Sequence, residues 1–448
     1  MRILTLGAGT VGRWVADLLC RKGHSVTVVD ISPEKVRRIN SELDVRALVG
    51  SASQSTVLFQ AEVLSADVCL AVTGNDEVNL VAASMAKALG ARRSIARVFA
   101  PAFSDLSTFD YETHFGIDSI LSLEQLLAFE LARTIRNPDA IPLEHFARGQ
   151  LEAYEFDIDS NAEAAGKKLS ELKFYGNARV GSIVREGRMW IASGKDELHV
   201  GDRVTLVGMP ENVTKTRSAF FKKEGKIAVK RVMIAGVGET GFHLACLLDP
   251  AAYRITVLER DESRCRDLIK VLPEHVTLVH ANANRRSVLE DEGGGTVDYF
   301  IAATGSDESN IMACVEAREL GASRVMAVVG RPDYANVVGK LGIDSAVSKR
   351  DVVARQILGY LNEGAVISRK LLPNGHIGLY ELEILAGSRV SKATLAELPL
   401  AGRCLINAVQ SGGFIRVPSA DEKLEAGDIV VALIDQESVD QILALFNP

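Results

Sequence analysis

Short apolar runs alternate with amphipathic stretches over the first hundred residues of the chain. The apolar runs read ILTLG, VTVVD, RALVG, VCLAVTG and SIARV, and helical segments such as residues 79–89 lie between them. Strands that are apolar along their whole length are buried on both faces, as in a parallel sheet covered by helices. The pattern therefore predicts an α/β fold with a Rossmann-like, doubly wound parallel sheet.

A different pattern follows this region. From about residue 150 the runs YEFDI, VGSIVRE, MWIAS and RVTLVG alternate apolar and polar positions, and glycine-containing turns separate them. Alternation with a period of two is typical of strands with one buried face. We expect a small α+β module here, with one short helix.

Both patterns occur twice. Residues 4–19 (LTLGAGTVGRWVADLL) recur as residues 233–248 (MIAGVGETGFHLACLL), and residues 71–98 recur as 302–329. The small β-rich module recurs as well, because residues 184–208 resemble residues 409–434. A repeat of about 230 residues is too long for a solenoid unit and indicates a tandem duplication of a two-module copy.

Composition narrows the class of protein. The 448 residues carry a formal net charge of −7, which disfavours binding to nucleic acid. The six cysteines are scattered without a C-x-x-C motif, as in proteins with reduced thiols. No apolar run approaches the roughly 18 residues of a membrane span, and a strand predicted to begin at Arg2 leaves no room for a signal peptide. We expect a soluble intracellular protein.

Each copy begins with a G-x-G-x-x-G motif between an apolar strand and a helix. The first glycine allows a tight turn, the second lets the backbone approach a phosphate, and the third lets the helix pack on the sheet. An acid follows about 20 residues later, at the end of the next strand, where a carboxylate can accept hydrogen bonds from ribose. In the first copy the residues are Gly7, Ala8, Gly9, Thr10, Val11, Gly12 and Asp30.

Further residues of the first copy fit the same site. Asp30 is followed by Ile31 rather than arginine, which favours NAD or an adenosine nucleotide over NADP. Thr73 and Gly74 end the fourth strand at the usual ligand crevice, and Arg97 at the end of the fifth strand could reach a phosphate. Two alternatives stay open: Arg97 as an exposed strand-end charge, and a degenerate fold without ligand.

The second copy repeats this geometry with changes. Arg97 aligns with Val328, so a phosphate contact is lost there or moves to Arg331. Glu239 stands where Thr10 stands in the first copy, and a carboxylate at that point is unfavourable for a pyrophosphate. A nucleotide site and a purely structural copy both remain possible. The repeated residues are Gly236, Gly238, Thr240, Gly241, Glu259, Thr304 and Gly305.

With the tandem G-x-G-x-x-G motifs, the AVTGNDEVNL and IARV segments and the repeated GIDS element, the chain resembles the TrkA family over essentially its whole length. These proteins are the peripheral regulatory subunits of bacterial Trk potassium uptake systems, with two RCK (regulator of potassium conductance) N-modules, each followed by a C-module. The resemblance implies N-domains at residues 1–136 and 230–362, C-domains at 148–210 and 376–448, and a polar linker at 211–229.

The resemblance also implies a function. It implies a cytoplasmic protein that lies peripherally on the cytoplasmic face of the inner membrane. Its subunits would form a homo-oligomeric ring, as a dimer or tetramer, and this ring would gate a Trk-type potassium-transporting membrane subunit. It implies binding of NAD(H) and ATP or ADP. The family's acid or amide near the adenine falls on Ser51 in the first copy and Asn282 in the second. The arginine often found two residues after Arg97 is Phe99, so base selectivity and affinity are the open points.

Other function classes are less well supported. The eight histidines form no catalytic or metal-ligating set, and no G-x-S-x-G or G-K-[ST] motif is present. An NAD-dependent dehydrogenase would need a substrate domain with a proton donor. A nucleotide-sensing regulator of another ion transporter is a further alternative, because its sequence would show the same features as a Trk regulator. Two amphipathic segments, residues 122–135 and 349–361, could pack between N-modules in a dimer or ring, or within one domain.

Overall fold

The computed structural model describes residues 1–103, 109–136, 141–146, 151–221, 229–331, 334, 337–359, 361, 364–372, 376–411 and 414–448. The chain divides into two compact units. The first contains Met1–Leu131 and Val229–Ile357, and the second contains Ala132–Ala228 and Leu358–Pro448. Modules of the same kind from the two copies therefore share a unit, which linear order alone does not indicate.

The first N-module is a six-stranded parallel sheet. Its strands are β1 Arg2–Leu6, β2 Ser25–Asp30, β3 Arg46–Val49, β4 Val68–Ala71, β5 Arg93–Arg97 and β6 Ser119–Leu121. Its helices are α1 Thr10–Arg21, α2 Pro33–Glu42, α3 Ser55–Gln60, α4 Asp76–Leu89, α5 Tyr111–Phe115 and α6 Leu123–Arg136. The strand order β3-β2-β1-β4-β5-β6 reverses between β1 and β4, and ligands bind at the carboxyl end of such a switch point.

The first C-module is an antiparallel sheet in the order β7-β8-β11-β9-β10. Its elements are β7 Ile141–Phe146, β8 Leu151–Asp157, β9 Arg179–Arg185, β10 Arg188–Ile191, β11 Arg203–Gly208 and helix α7 Pro210–Phe220. Val213 and Phe220 of α7 are buried against Phe156 of β8. The prediction of a linker from residue 211 is therefore wrong up to residue 220. The many polar residues of this helix made the segment resemble a linker, although one face of the helix is buried. Residues 222–228 lie outside the described residues.

The second copy repeats both modules. The N-module has strands β12 Lys230–Ala235, β13 Tyr253–Glu259, β14 Val276–His280, β15 Tyr299–Ala302, β16 Arg324–Val329 and β17 Ser345–Ser348. Its helices are α8 Glu239–Leu247, α9 Glu262–Leu268, α10 Arg286–Asp291, α11 Asp307–Leu320 and α12 Lys349–Gly359. The C-module has β18 Val366–Leu371, β19 Ile377–Glu383, β20 Cys404–Ser411, β21 Phe414–Arg416, β22 Ile429–Asp435 and α13 Val439–Phe446. Their sheets have the same strand orders as in the first copy.

The two C-modules pack on each other through the sheet faces that their own helices leave uncovered. Residues of both modules form this apolar cluster, among them Ala153, Val207, Leu379 and Leu433. Each sheet has a bulge at the contact, at Gly181 in β9 and Asn407 in β20. A Cβ atom added to Gly181 would lie 2.7 Å from the Leu433 side chain, so Leu433 would have to shift to admit a larger residue.

The two N-modules also meet. Val353 and Ile357 of α12 line a small apolar cavity together with residues of the first N-module, including Val11 and Leu121. Part of the amphipathic segment 349–361 therefore lies against the first N-module of the same chain.

The predicted fold class is confirmed. Both N-modules have fully parallel sheets with helices between the strands, and both C-modules are small antiparallel α+β units. None of the helices in the described part of the chain has the length and apolar character that crossing a membrane requires.

Candidate nucleotide-binding sites

The three glycines of the first loop have distinct roles. Gly7 has φ +114°, and a Cβ there would lie 2.9 Å from the carbonyl oxygen of Val72. A Cβ on Gly12 would overlap the carbonyl oxygen of Gly7, so the helix can approach the loop only with glycine at this position. A Cβ added to Gly9, by contrast, would have no other atom of the described residues within 4 Å. Gly9 therefore leaves room on the loop surface where a phosphate can approach the backbone.

Helix α1 begins at this open point without a capping side chain. Gly9 is its N-cap residue, and no side chain accepts a hydrogen bond there. The neighbouring helices α2 and α4 are capped by the side chains of Ser32 and Asn75. The positive end of α1, with its N–H groups at Thr10 and Val11, is thus left for an anion.

Asp30 supports the loop from the end of β2. Its Oδ2 accepts a hydrogen bond from the backbone N–H of Ala8 at 2.7 Å, and its Oδ1 accepts one from Ser32 N–H at 2.8 Å. The carboxyl group is 9% exposed, and Lys35 Nζ lies 3.9 Å from Oδ2. Each carboxylate oxygen has a further lone pair, so the group can hold the loop and still accept ribose hydroxyls.

A buried amide shapes the tip of β4. Asn79 Oδ1 accepts hydrogen bonds from Thr73 N–H at 2.8 Å and Thr73 Oγ1 at 2.7 Å, and its Nδ2 donates to the Arg97 carbonyl at 2.9 Å. This side chain fixes Thr73 beside the open position at Gly74. Sequence reasoning did not include Asn79 in the site, although the asparagine at the same place in both copies was a usable signal.

Two predicted residues of the first copy contact protein groups. The Arg97 guanidinium donates to Glu124 Oε1 at 2.8 Å and lies 4.0 Å from the ring centroid of Phe99. Arg97 also lines the apolar cavity near α12, so in this structure its guanidinium is held at the contact between N-modules. Ser51 Oγ is 3.1 Å from Ser53 Oγ, after β3, where the adenine side of the crevice is expected.

The second copy contains a cavity of about 470 Å³ at the equivalent place. Glu259 Oε2 accepts a hydrogen bond from Val237 N–H at 3.1 Å, and Oε1 accepts one from Asp261 N–H at 3.0 Å, which repeats the arrangement of Asp30. The predicted residues that line the cavity are Gly236, Gly238, Glu259, Asn282, Thr304 and Gly305. Thr240 and Gly241 are buried in the first turn of α8.

Glu239 is neutralised by a residue that sequence reasoning missed. Arg264 Nη2 donates to Glu239 Oε1 at 2.9 Å, and Arg264 Nε donates to the Val237 carbonyl at 2.7 Å. Arg264 and Arg260 both line the cavity. The second loop thus carries a cation close to its carboxylate, and Lys35 has the equivalent place near Asp30 in the first copy.

The strand tips of the second copy repeat those of the first. Asn310 holds Thr304 through the same bonds, with Thr304 N–H at 2.8 Å from Asn310 Oδ1. Asp307 accepts hydrogen bonds from the backbone N–H groups of Gly330 and Arg331. The Arg331 side chain stacks on Tyr334, with 4.5 Å between guanidinium and ring centroid, and it is not among the described residues around the cavity.

Among the described residues, no group of three histidine, cysteine, aspartate or glutamate side chains could hold a metal ion.

Known proteins share the whole arrangement. The TrkA-N domain family matches residues 3–122 and 232–349, and the TrkA-C domain family matches residues 153–220 and 379–447. A "Trk system potassium uptake protein TrkA homolog" of Archaeoglobus fulgidus is 32% identical over 447 residues, and the protein named TrkA of Haemophilus influenzae is 30% identical over 460. The alignments cover 100% of this chain in both cases, with 100% and 99% of the relatives.

Solved structures share the fold at lower identity. The GsuK channel bound to NAD superposes with a TM-score of 0.61 at 20% identity, covering 99% of this chain and 79% of the channel. The GsuK structure bound to ADP has a TM-score of 0.52 at 18% identity, covering 81% of this chain and 69% of that one.

Proposed function

The chain belongs to the TrkA family, and from that premise we propose that it is a nucleotide-sensing regulatory subunit of a Trk-type potassium uptake system. The observation that carries the proposal is the paired open loop: Gly9 and Gly238 each leave free space beside an uncapped helix start. A duplicated pair of such loops is suited to binding nucleotides and to responding when occupancy changes.

The ligands are NAD(H) and the adenosine nucleotides ATP and ADP. Asp30 and Glu259 present carboxylates to ribose, while the loop N–H groups, with Arg264 in the second copy, meet the phosphates. The cavity of the second copy is lined by described residues that include no histidine, cysteine, lysine or tyrosine. Such a lining of small polar residues, two arginines and one carboxylate is suited to holding a nucleotide, which supports a binding role.

The proposed mechanism is a population shift. A nucleotide moves a two-state assembly only if it binds one state more tightly than the other. ATP places three phosphates at one loop, whereas NAD spans two nucleotides, so the two ligands favour different openings of the crevice. The assembly is a homo-oligomeric ring, dimer or tetramer, peripheral on the cytoplasmic face of the inner membrane, where it gates a potassium-transporting membrane subunit.

Calorimetric titration with NADH, NAD, ATP and ADP tests the binding step. The natural protein, Gly9→Ala and Gly238→Ala are compared, because a methyl group at either glycine fits the fold but occupies the phosphate space. Gly194→Ala is the matched control, since its Cβ would make only an ordinary 3.7 Å contact with Ser170 in the C-module. Binding that survives in both loop variants would contradict the proposed sites.

Potassium flux through the cognate membrane subunit in proteoliposomes tests the gating step. We expect ATP and NADH to change the flux differently with the natural protein, and the loop variants to lose that response. Equal affinity of both nucleotides for the assembly trapped in either state would overturn the population-shift mechanism.

A further inference from the structure

A row of polar side chains crosses the sheet of the first C-module on the face that packs against the second. Glu155, Thr205 and Ser182 are neighbours on β8, β11 and β9. Ser182 Oγ donates a hydrogen bond to Thr205 Oγ1 at 2.8 Å, and Thr205 Oγ1 donates to Glu155 Oε1 at 3.4 Å. All three residues are at most 1% exposed. The row is therefore enclosed between the two modules.

Several polar atoms at this contact have no hydrogen-bond partner among the described residues. They are Glu155 Oε2 and both amide atoms of Asn407. Asn407 is 1% exposed, and its Nδ2 lies 3.4 Å from the place of a Cβ on Gly181, the residue before Ser182. Buried polar groups of native proteins almost always have partners, so an unpaired carboxylate oxygen and an unpaired amide at the contact between the same two modules indicate a water or ion there.

The equivalent row of the second module keeps the glutamate but has no hydroxyl groups. Glu381, Val431 and Ala408 are neighbours on β19, β22 and β20 in the same register. Glu381 accepts a hydrogen bond from Ser368 Oγ at 3.0 Å, so the equivalent carboxylate has a hydrogen-bond donor within its own sheet. The two hydroxyls occur only in the first module, and the Asn407 amide occurs only in the second, since Gly181 has the equivalent bulge position in the first. The fold therefore does not require these polar groups.

The chemistry of the row favours a cation over an anion. Ser182 donates its hydroxyl proton to Thr205, and Thr205 donates its own to Glu155. The remaining lone pairs of both hydroxyl oxygens can therefore coordinate a cation. Arg203, two residues before Thr205 on β11, is paired with Asp157 at 2.8 Å in a solvent-exposed position, and Arg179 on β9 donates to the Pro418 carbonyl. Burial raises the pKa of Glu155, and the opposing effects of Arg203 and of the hydrogen bond from Thr205 do not cancel this shift.

We propose that a monovalent alkali cation binds between the two C-modules, with Glu155, Asn407 and the hydroxyls of Ser182 and Thr205 as its oxygen ligands. A single carboxylate with neutral oxygens suits K⁺ or Na⁺, whereas Ca²⁺ sites collect several carboxylates. The site is independent of nucleotide binding, so the inference and the proposed function can fail separately. It would allow the regulator to respond directly to the ion concentration.

Thermal unfolding of the full-length protein tests the site. The background variant Trp14→Phe leaves Trp190, on β10 of the first C-module, as the one tryptophan reporter. KCl or NaCl replaces choline chloride at constant ionic strength. A ligand specific to the folded state raises the unfolding midpoint by roughly 3–6 °C for each tenfold increase above its dissociation constant. The salt that gives the larger rise identifies the preferred ion.

The variants separate a cation site from a general salt effect. We expect Glu155→Gln and the double variant Ser182→Ala/Thr205→Val, which copies the second module, to lose the cation-dependent rise. The matched control Glu381→Gln should keep it. An equal rise in all variants, or no rise in the natural protein, would overturn the proposal. If Glu155→Gln does not fold, the double variant alone provides the test.

Anomalous diffraction gives a second, direct test. Crystals of the natural protein soaked in thallium(I) acetate should show an anomalous peak within coordination distance of Glu155 Oε2, because Tl⁺ substitutes for K⁺. A water molecule or no density at that point, with Glu155 protonated and hydrogen-bonded to Asn407, would contradict the cation site.

Discussion

Glu124 and Arg97 form an ion pair at the contact between the two N-modules, with 2.8 Å between Glu124 Oε1 and Arg97 Nη2. The Arg97 and Glu124 side chains are 12% and 20% exposed, and Arg97 lines the same small cavity as Val353 and Ile357 of α12. The backbone carbonyl of Arg97 meanwhile accepts a hydrogen bond from Asn79, which shapes the first proposed nucleotide site. Arg97 therefore connects that site to the second N-module.

Replacing Arg97 should affect stability more than nucleotide affinity. Arg97→Ala leaves Glu124 partly buried without its charge partner, so we expect the free energy of unfolding of the first unit to fall by about 1–3 kcal/mol. Urea unfolding followed by Trp14 fluorescence in a Trp190→Phe background measures it. A more than tenfold loss of ATP affinity without a stability change would instead support a phosphate contact.

Much of the fold could be predicted from the sequence because local chemistry determines it. The positive φ at Gly7 and the close approach at Gly12 follow from the G-x-G-x-x-G spacing. The pairing of like modules could not be predicted, because it depends on which sheet faces remain uncovered after each module folds. The Glu239–Arg264 pair was missed for a related reason: its members are 25 residues apart and meet only when β13 aligns beside β12.

The acids at the ends of β2 and β13 should contribute unequally to NADH binding. Asp30→Ala removes a charged acceptor for ribose, and loss of such a hydrogen bond costs about 1.5–3 kcal/mol, or roughly 10- to 100-fold in affinity. Glu259→Ala should have a smaller effect, because the ion pair with Glu239 holds Arg264 away from a phosphate at the second loop. Calorimetry on both variants measures the ranking, with Asp30→Asn to retain the shape of the side chain. The reverse order would contradict it.

Exchanging the residues at the two helix starts should shift affinity between the loops. Glu239→Thr removes the carboxylate and frees Arg264 for a phosphate, so we expect ADP to bind the second site about three- to tenfold more tightly. Thr10→Glu should weaken the first site. Titrations at low and high salt measure both effects, since screening should reduce them. If Glu239→Thr/Arg264→Ala keeps the whole gain, Arg264 is not the phosphate partner.

A buried histidine should make the first unit sensitive to mild acid. His243 on α8 is 8% exposed, and its Nε2 has no hydrogen-bond partner among the described residues. Burial lowers the pKa of His243 below its ordinary 6.5, although the carboxylates of Glu239 and Glu124 oppose this shift. Because the unfolded chain then takes up the proton first, the stability contribution is complete above about pH 6.5 and is lost as the pH falls below it.

The measurement is the free energy of unfolding between pH 5.5 and 7.5, followed by Trp14 fluorescence in the Trp190→Phe background. For a single proton the slope is at most about 1.4 kcal/mol per pH unit below pH 6.5. His243→Gln should flatten the curve in this window, whereas His199→Gln, at an exposed position in the C-module, should leave it unchanged. The difference between the natural and His243→Gln curves removes the contribution of the carboxylates. A difference that stays constant from pH 7.5 to 5.5 would show that another group causes the acid sensitivity.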